Sequence, residues 1–367
     1  RSGSMGGEPI EQARQAAIAA IRQLHPDDRV SVVSFANDAR VDVPSTLVSD
    51  PQRLIRVVED LRASGGTFLE GGWRSGAEQV AEHLDPGALN RIILLSDGQA
   101  THGVKDARVM PPIVAGLTAA GISTTAMGFG SQYNETLMLA IAEAGDGNYL
   151  HVEDAGLLPT IFEQELQGLT RTTGRRVSLG LEPNSKEGVE VAEVLTVLRT
   201  TTTGRLALPN LQDGQPVDVL VRLRVTRPLS AGALQGVMRA RLAWDGPTGE
   251  RGSRREQLDL PVLTGEAFSG LRLHPLVEEA EALQSIARHK RQAVAELDRG
   301  DRPAARASMA RAADAGAPLF ASSPAVADAV KETKVLETLF DTGDDRLARK
   351  RAMVQAYEAS TSKKPRS

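Results

Sequence analysis

Cysteine is absent from this sequence of 367 residues. A disulfide framework and a thiolate metal site are therefore excluded, and the composition fits a reducing compartment. Aromatic residues make up only 3% of the chain, which argues against a surface of stacked rings for single-stranded nucleic acid. No apolar run approaches the roughly 20 residues that a membrane-spanning helix needs. Together, these absences favour the cytoplasm as the location.

The chain also lacks an excess of charge of one sign. Its 43 basic and 47 acidic residues give a formal net charge of −4, so there is no electrostatic basis for binding nucleic acid or an anionic membrane. Hydrophobic residues at 41% and charged residues at 25% are typical of globular proteins. The length predicts two or three domains rather than one. Abundant alanine and arginine suggest a bacterial gene.

Strand and helix patterns alternate over the first 168 residues, which predicts a doubly wound α/β sheet. Apolar runs predict buried strands over 29–35, 91–96, 122–129 and 148–152, with a short edge strand over 41–44. Helical periodicity predicts helices over 8–24, 51–61, 69–84, 105–120, 135–144 and 156–168. In such sheets, functional residues lie beyond the carboxyl ends of the strands.

The pattern changes after residue 170. Six alternating segments predict an antiparallel β-sandwich over 171–268: 176–183, 189–195, 204–211, 216–225, 237–244 and 256–263. A helical hairpin or bundle is predicted over 269–360, with helices over 275–297, 303–315, 325–340 and 345–359. The polar residues 361–367 are predicted to form a disordered tail.

Oxygen-bearing side chains occur at three places in the first domain. Ser2 and Ser4 lie in a glycine-rich segment, Thr67 follows Gly65-Gly66, and Asp97 follows an apolar strand. Taken alone, the first seven residues are as typical of a linker or a tag remnant as of a metal loop. Taken together, the hydroxyl and carboxylate oxygens are ligands that a hard cation such as Mg²⁺ prefers.

This set of residues resembles the von Willebrand factor A (VWA) family, also called the integrin I-like domain, over residues 1–170. The family's metal-ion-dependent adhesion site (MIDAS) reads Asp-x-Ser-x-Ser, then a distant Thr and a distant Asp, and Ser2, Ser4, Thr67 and Asp97 match the last four positions. The resemblance implies a Rossmann-like fold and a bound Mg²⁺, with Mn²⁺ or Ca²⁺ as alternatives. It also implies that Asp97 acts largely through water and that the metal accepts an Asp or Glu from a partner protein.

The first Asp of the motif and the family's central first strand would both precede Arg1. Loss of a central strand would expose apolar faces and unpaired backbone groups on both sides. We therefore expect the natural protein to extend further toward its N-terminus. The order of VWA domain, β region and helices also resembles bacterial homologues of calcium-activated chloride channels, but without a spanning segment no channel activity is inferred.

Other motifs are less informative. Arg299-Gly300-Asp301 spells the tripeptide that integrins recognise, but separating two helices is the simpler interpretation. The pattern around Leu297 to Ala307 resembles one tetratricopeptide hairpin, and two packing helices remain the favoured interpretation. His102, just past Asp97, is interpreted as a surface loop residue, with a place on the rim of the site as the alternative.

Three functions remain open. The first is a metal-dependent protein-binding module, and the second is a scaffold with a vestigial metal site whose helices bind partners. The third is a regulatory subunit that acts beside an AAA-type ATPase. An enzyme is the least favoured class, because no nucleophile motif, phosphate-binding loop or acid–base pair converges on the site. No pattern identifies the partner or the oligomeric state.

Overall fold

The computed structural model describes residues 1–130, 132–201 and 203–361. The chain forms two compact units. The first comprises Arg1–Thr172 with Pro247–Gly249, and the second comprises Thr173–Gly246 with Glu250–Ser367. The further division of the second unit into domains of residues 171–268 and 269–360 stays a prediction.

The first unit alternates strands and helices, which confirms the predicted α/β class. Its strands are β1 (Arg29–Phe35), β2 (Ala39–Leu47), β3 (Asn90–Ser96), β4 (Ile122–Phe129) and β5 (Asp146–Val152). Its helices are α1 (Glu8–Gln23), α2 (Pro51–Glu59), α3 (Leu69–Ala81), α4 (Met110–Ala119), α5 (Glu135–Ala144) and α6 (Leu158–Thr170). Strands β3, β4 and β5 form a parallel sheet in that order, while β1 and β2 form an antiparallel hairpin.

The middle strand β4 is buried on both faces, as its continuous apolar run predicts. Helix α3 packs against the β1–β2 hairpin and also against β3. Its side chain Trp73 is fully buried, and the indole N–H donates to Thr124 Oγ1 on β4 at 3.2 Å. An apolar cluster that includes Ile21, Val43 and Val58 joins α1, α2 and β2. These contacts hold the carboxyl ends of β1 and β3 in place around the candidate site.

The structure corrects several helix boundaries in this unit: the helix predicted over 51–61 ends at Glu59, and the helix predicted over 69–84 ends at Ala81. Residues 105–109 were predicted as helix but form a loop, because the N–H of Val104 donates to Glu70 Oε2 at 2.7 Å and Asp106 binds Arg108 within the loop. The helix predicted over 156–168 instead begins at Leu158, after a 3-10 turn, and ends at Thr170.

The β region of the second unit contains two sheets. Its strands are β6 (Thr172–Pro183), β7 (Val189–Val194), β8 (Leu206–Ala207), β9 (Leu211–Gln212), β10 (Val221–Val225), β11 (Leu234–Asp245) and β12 (Arg251–Pro261). One sheet has the order β12-β11-β6-β8, with β9 also pairing with β6, and the other pairs β10 with β7. The single strand predicted over 204–211 is wrong: Pro209, which lacks an N–H, separates β8 from β9. Packing of the two sheets as a sandwich stays a prediction.

The C-terminal helical region is confirmed. It contains α7 (Gly265–Ser269), α8 (Pro275–Asp298), α9 (Arg302–Gly316), α10 (Pro324–Thr342) and α11 (Asp345–Thr361). Helix α8 packs against α9 and α11, and α10 packs against all three. Of the tail predicted over 361–367, Thr361 ends α11 and residues 362–367 lie outside the described part of the chain.

The tripeptide Arg299-Gly300-Asp301 forms the turn between α8 and α9. Gly300 has a φ of 80°, the left-handed conformation that ends a helix. The Asp301 carboxylate accepts the N–H of Ala304 at 3.0 Å and so caps α9. The structure thus supports the helix-separating interpretation of this motif. Across residues 1–130, 132–201 and 203–361, no helix combines the length and hydrophobicity needed to span a bilayer.

Candidate metal centre

The four side chains predicted to bind metal lie together at the carboxyl end of β3. The hydroxyl of Ser2 donates to Asp97 Oδ1 at 2.7 Å, and its oxygen lies 3.1 Å from Ser4 Oγ. The hydroxyls of Thr67 and Ser4 both lie beside Gly98, where a methyl group would be 3.1 Å from Thr67 Oγ1 and 3.6 Å from Ser4 Oγ. Ser2, Thr67 and Asp97 are 4%, 4% and 7% exposed. Ser4 is exposed, so the cluster reaches the surface on that side.

Backbone hydrogen bonds place the serine segment between the end of β1 and the loop before α3. The α-amino group of Arg1 donates to Phe35 O at 2.9 Å, and Arg1 O accepts from the N–H of Ser64 at 2.7 Å. The N–H of Gly3 then donates to Gly65 O at 2.9 Å. Because these bonds lie on either side of Ser2, they fix the backbone that carries its hydroxyl.

The loop that carries Thr67 is held by three consecutive N–H groups. Their acceptors are Asn37 Oδ1 for Gly66, Thr101 Oγ1 for Thr67 and Ala36 O for Phe68, each at 2.7 Å. Two of these acceptors directly follow β1, and the third lies in the loop that begins at Asp97. The loop is therefore joined both to the hairpin and to the parallel sheet.

The Asp97 carboxylate is buried without a side-chain cation. Among the residues that the structure describes, no Arg, Lys or His side chain forms an ion pair with it. A buried carboxylate is costly unless a positive charge compensates it, and a bound cation would do so.

The donor set suits a hard divalent cation. It offers three hydroxyl oxygens and one carboxylate, with no nitrogen or sulfur, and such sets favour Mg²⁺, Ca²⁺ or Mn²⁺. Within the described residues, no cluster of three or more His, Asp or Glu side chains forms an alternative metal site. The residues present therefore fit the metal that the family motif implies.

The rim of the centre contains residues that the sequence analysis missed. Asn37 is a residue type common in turns, so the sequence gives no sign of its bond to the Thr67 loop. Thr101 belongs to no recognisable local motif, and its bond to Thr67 spans 34 positions. His102 is exposed, and its Nδ1 lies 2.9 Å from Thr101 Oγ1. A side chain at Gly66 would lie 3.2 Å from the His102 ring, which places that ring beside the Thr67 loop. The rim interpretation of His102 is therefore favoured.

A family profile for the von Willebrand factor type A domain matches residues 1–164. The chain is 26% identical over 325 residues to the uncharacterized protein sll0103 of Synechocystis sp., covering 85% of this chain and 76% of that protein. It is also 26% identical over 185 residues to the uncharacterized protein YfbK of Escherichia coli, covering 50% of this chain but only 32% of YfbK.

A solved structure of a von Willebrand factor type A protein from Catenulispora acidiphila shares the fold. Its TM-score is 0.71 at 17% identity, and the match covers 98% of this chain and 87% of that chain. Domains of this family are generally interaction modules without catalytic activity, and many bind a divalent metal at a MIDAS. The profile match, the α/β fold and the serine, threonine and aspartate positions agree, and residues 1–164 therefore belong to the von Willebrand factor type A family.

Proposed function

We propose that the VWA domain is a metal-dependent protein-binding module. Mg²⁺ is held by Ser2, Ser4 and Thr67, with Asp97 beside them, and a partner protein supplies an Asp or Glu side chain to the metal. One observation carries this proposal: three hydroxyls and a buried carboxylate without a side-chain cation converge beside one another, and the cluster is exposed at Ser4.

The hydrogen bond between Ser2 and Asp97 gives each residue a role. A hydroxyl that binds a cation must turn its lone pairs toward the ion and its hydrogen elsewhere. The Asp97 carboxylate accepts that hydrogen at 2.7 Å, so it orients the Ser2 oxygen as a ligand. Asp97 contributes its charge to the metal and acts on it largely through water, as the family resemblance implies.

The neutral hydroxyl ligands explain why the partner is expected to supply an acidic side chain. They bind a cation without cancelling its charge, so a bound Mg²⁺ retains affinity for an anionic oxygen. Mg²⁺ takes six oxygen ligands and commonly keeps several waters, and a carboxylate can replace one of these waters. Mn²⁺ and Ca²⁺ remain alternatives, with the octahedral preference favouring Mg²⁺ or Mn²⁺. The partner is therefore expected to present an exposed acidic side chain.

Calorimetric titration with Mg²⁺ and with Mn²⁺ tests the metal site. The chain should be measured both as it stands and with one Asp added before Arg1, which supplies the first position of the family motif. We expect saturable binding, tighter in the extended chain. Thr67→Val keeps the side-chain shape but removes the hydroxyl, so it should weaken binding about tenfold or more. Thr67→Ser restores the hydroxyl and should retain binding.

Partner binding is tested separately, by affinity capture with the full chain in Mg²⁺ and in EDTA. Partners lost in EDTA and lost with Thr67→Val support the proposal. No saturable metal binding in either form of the chain would contradict it, and partners retained in EDTA would favour a scaffold that binds through α8–α11. Metal-independent capture of an ATPase would instead favour the regulatory-subunit hypothesis.

A further inference from the structure

Thr101 forms hydrogen bonds with both the backbone N–H and the backbone carbonyl of Thr67. The N–H of Thr67 donates to Thr101 Oγ1 at 2.7 Å, and the N–H of Thr101 donates to Thr67 O at 2.9 Å. A second donor, the N–H of His102, lies 3.4 Å from the same carbonyl. Two short hydrogen bonds between one pair of residues fix both the position and the orientation of the peptide that carries the Thr67 side chain.

These bonds join the two parts of the centre that are far apart in sequence. The neighbours of Thr67, Gly66 and Phe68, are bound to residues that follow β1. Thr101 instead lies four positions after Asp97, in the same loop. Thr101 therefore connects the Thr67 loop to the loop that begins at Asp97.

We infer that Thr101 is a positioning residue of the metal centre, which holds Thr67 at ligand distance from a cation beside Asp97. The inference rests on the proposed function. Thr101 has no role as a ligand here, since its oxygen is engaged with the Thr67 N–H. Its action is to fix the backbone of Thr67.

The hydrogen of the Thr101 hydroxyl also has an acceptor. Its oxygen accepts from Thr67, so its hydrogen can donate to His102 Nδ1 at 2.9 Å, which is closer than Thr67 O at 3.4 Å. The hydroxyl thus accepts one bond and donates another. Serine can do both at this position, whereas valine can do neither. This difference separates the hydroxyl's contribution from that of side-chain volume.

The close approach of Thr101 also explains a glycine in the motif. A methyl group at Gly66 would lie 2.6 Å from Thr101 Oγ1 and 3.0 Å from Asn37 Oδ1. Any side chain there would push both acceptors away from the loop. The second glycine of Gly65-Gly66-Thr67 is therefore required by the bonds that hold Thr67, independently of the metal.

The test compares Thr101→Val with Thr101→Ser in the full chain, with and without the added Asp before Arg1. Hydrogen exchange of the Thr67 amide is measured without metal, and Mg²⁺ affinity is measured by calorimetry. We expect Thr101→Val to lose protection of that amide and to bind Mg²⁺ about tenfold more weakly. Thr101→Ser should restore both properties, with an affinity within about twofold of the unaltered chain.

Thermal unfolding of each variant shows whether it folds, and Thr101→Ala serves as a second hydroxyl-free variant if the valine variant does not. Unchanged Mg²⁺ affinity and unchanged amide protection in a hydroxyl-free variant would overturn the inference. Equal losses in the serine and valine variants would also overturn it, because the methyl group would then be responsible. If the unaltered chains fail to bind Mg²⁺, the proposed function fails, and the exchange measurement still decides whether Thr101 holds Thr67.

Discussion

Replacing Asp97 with Asn should leave the metal-free protein intact but abolish its stabilisation by Mg²⁺. The Asn side chain keeps an oxygen that can accept the Ser2 hydroxyl, which lies 2.7 Å from the carboxylate. It removes a buried negative charge that has no side-chain ion pair among the described residues. Because an uncompensated buried charge opposes folding, we expect the variant to be as stable as the unaltered chain without metal, or more stable by about 1 kcal/mol.

The magnitude with metal follows from linkage. A ligand that binds only the folded state at a hundred times its Kd stabilises that state by about 2.7 kcal/mol. For a folded unit of this size, each kcal/mol raises the melting temperature by about 2–4 °C. The unaltered chain should therefore gain about 5–11 °C in saturating Mg²⁺. Asp97→Asn should gain little, since the negative charge that attracts the cation is gone.

Scanning calorimetry in EDTA and in Mg²⁺ measures both effects. Asp27→Asn is the matched control, because it makes the same chemical change at a side chain that is 92% exposed. Its melting temperature should rise in Mg²⁺ as much as that of the unaltered chain. An equal Mg²⁺ shift in Asp97→Asn would refute the reasoning. So would a large loss of stability in EDTA, since the carboxylate would then be needed for folding.

Two further predictions concern the packing of the VWA domain. Gly128→Ala would place a methyl group in the ring of buried Tyr133 and should lower the free energy of unfolding by about 1–3 kcal/mol. Gly116→Ala, in α4 with open space around it, should raise the free energy of unfolding by about 0.5–1 kcal/mol. Urea unfolding of both variants measures these changes, and equal effects would be inconsistent with the packing. Burial raises the pKa of Tyr133 above its usual value near 10, so its neutral hydroxyl contributes stability below about pH 10 that is lost as the pH rises further. Tyr133→Phe removes the hydrogen bonds to Tyr149 and His151, at 2.9 and 3.0 Å. The variant should be less stable than the unaltered chain at pH 7, but its stability should fall less steeply above pH 10. An unchanged fall in stability would mean that other groups cause the loss at alkaline pH.

The sequence predicted the fold best where local and tertiary signals agree. Strand β4 and helix α5 have the predicted bounds of residues 122–129 and 135–144. The helix begins where Asn134 caps it by accepting the N–H of Leu137 at 3.0 Å. The loop over 105–109 was missed because a bond from Val104 to Glu70, 34 positions away, competes with helix formation. Periodicity contains no information about such long-range bonds.

The candidate site shows the same difference between local patterns, which the sequence reveals, and long-range hydrogen bonds, which it does not. Ser2, Ser4, Thr67 and Asp97 could be predicted because their residue types, order and structural context match a known motif. Asn37 and Thr101 could not be predicted, because they act through bonds to backbone groups 29 and 34 positions away. Whether the four predicted residues bind metal remains a proposal. The structure adds the geometry that makes this proposal testable.

Diffraction from crystals of the Asp-extended chain grown in saturating Mn²⁺ tests the central claim most directly, because manganese can be located by its anomalous scattering. One strong anomalous peak is expected, about 2.0–2.2 Å from the hydroxyl oxygens of Ser2, Ser4 and Thr67. Thr67→Val lacks one of these oxygens, and its peak should be weaker than that of the unaltered side chain at a Mn²⁺ concentration near the Kd. No peak at these residues, or a strong peak elsewhere in its place, would contradict the assignment of this cluster as the metal centre.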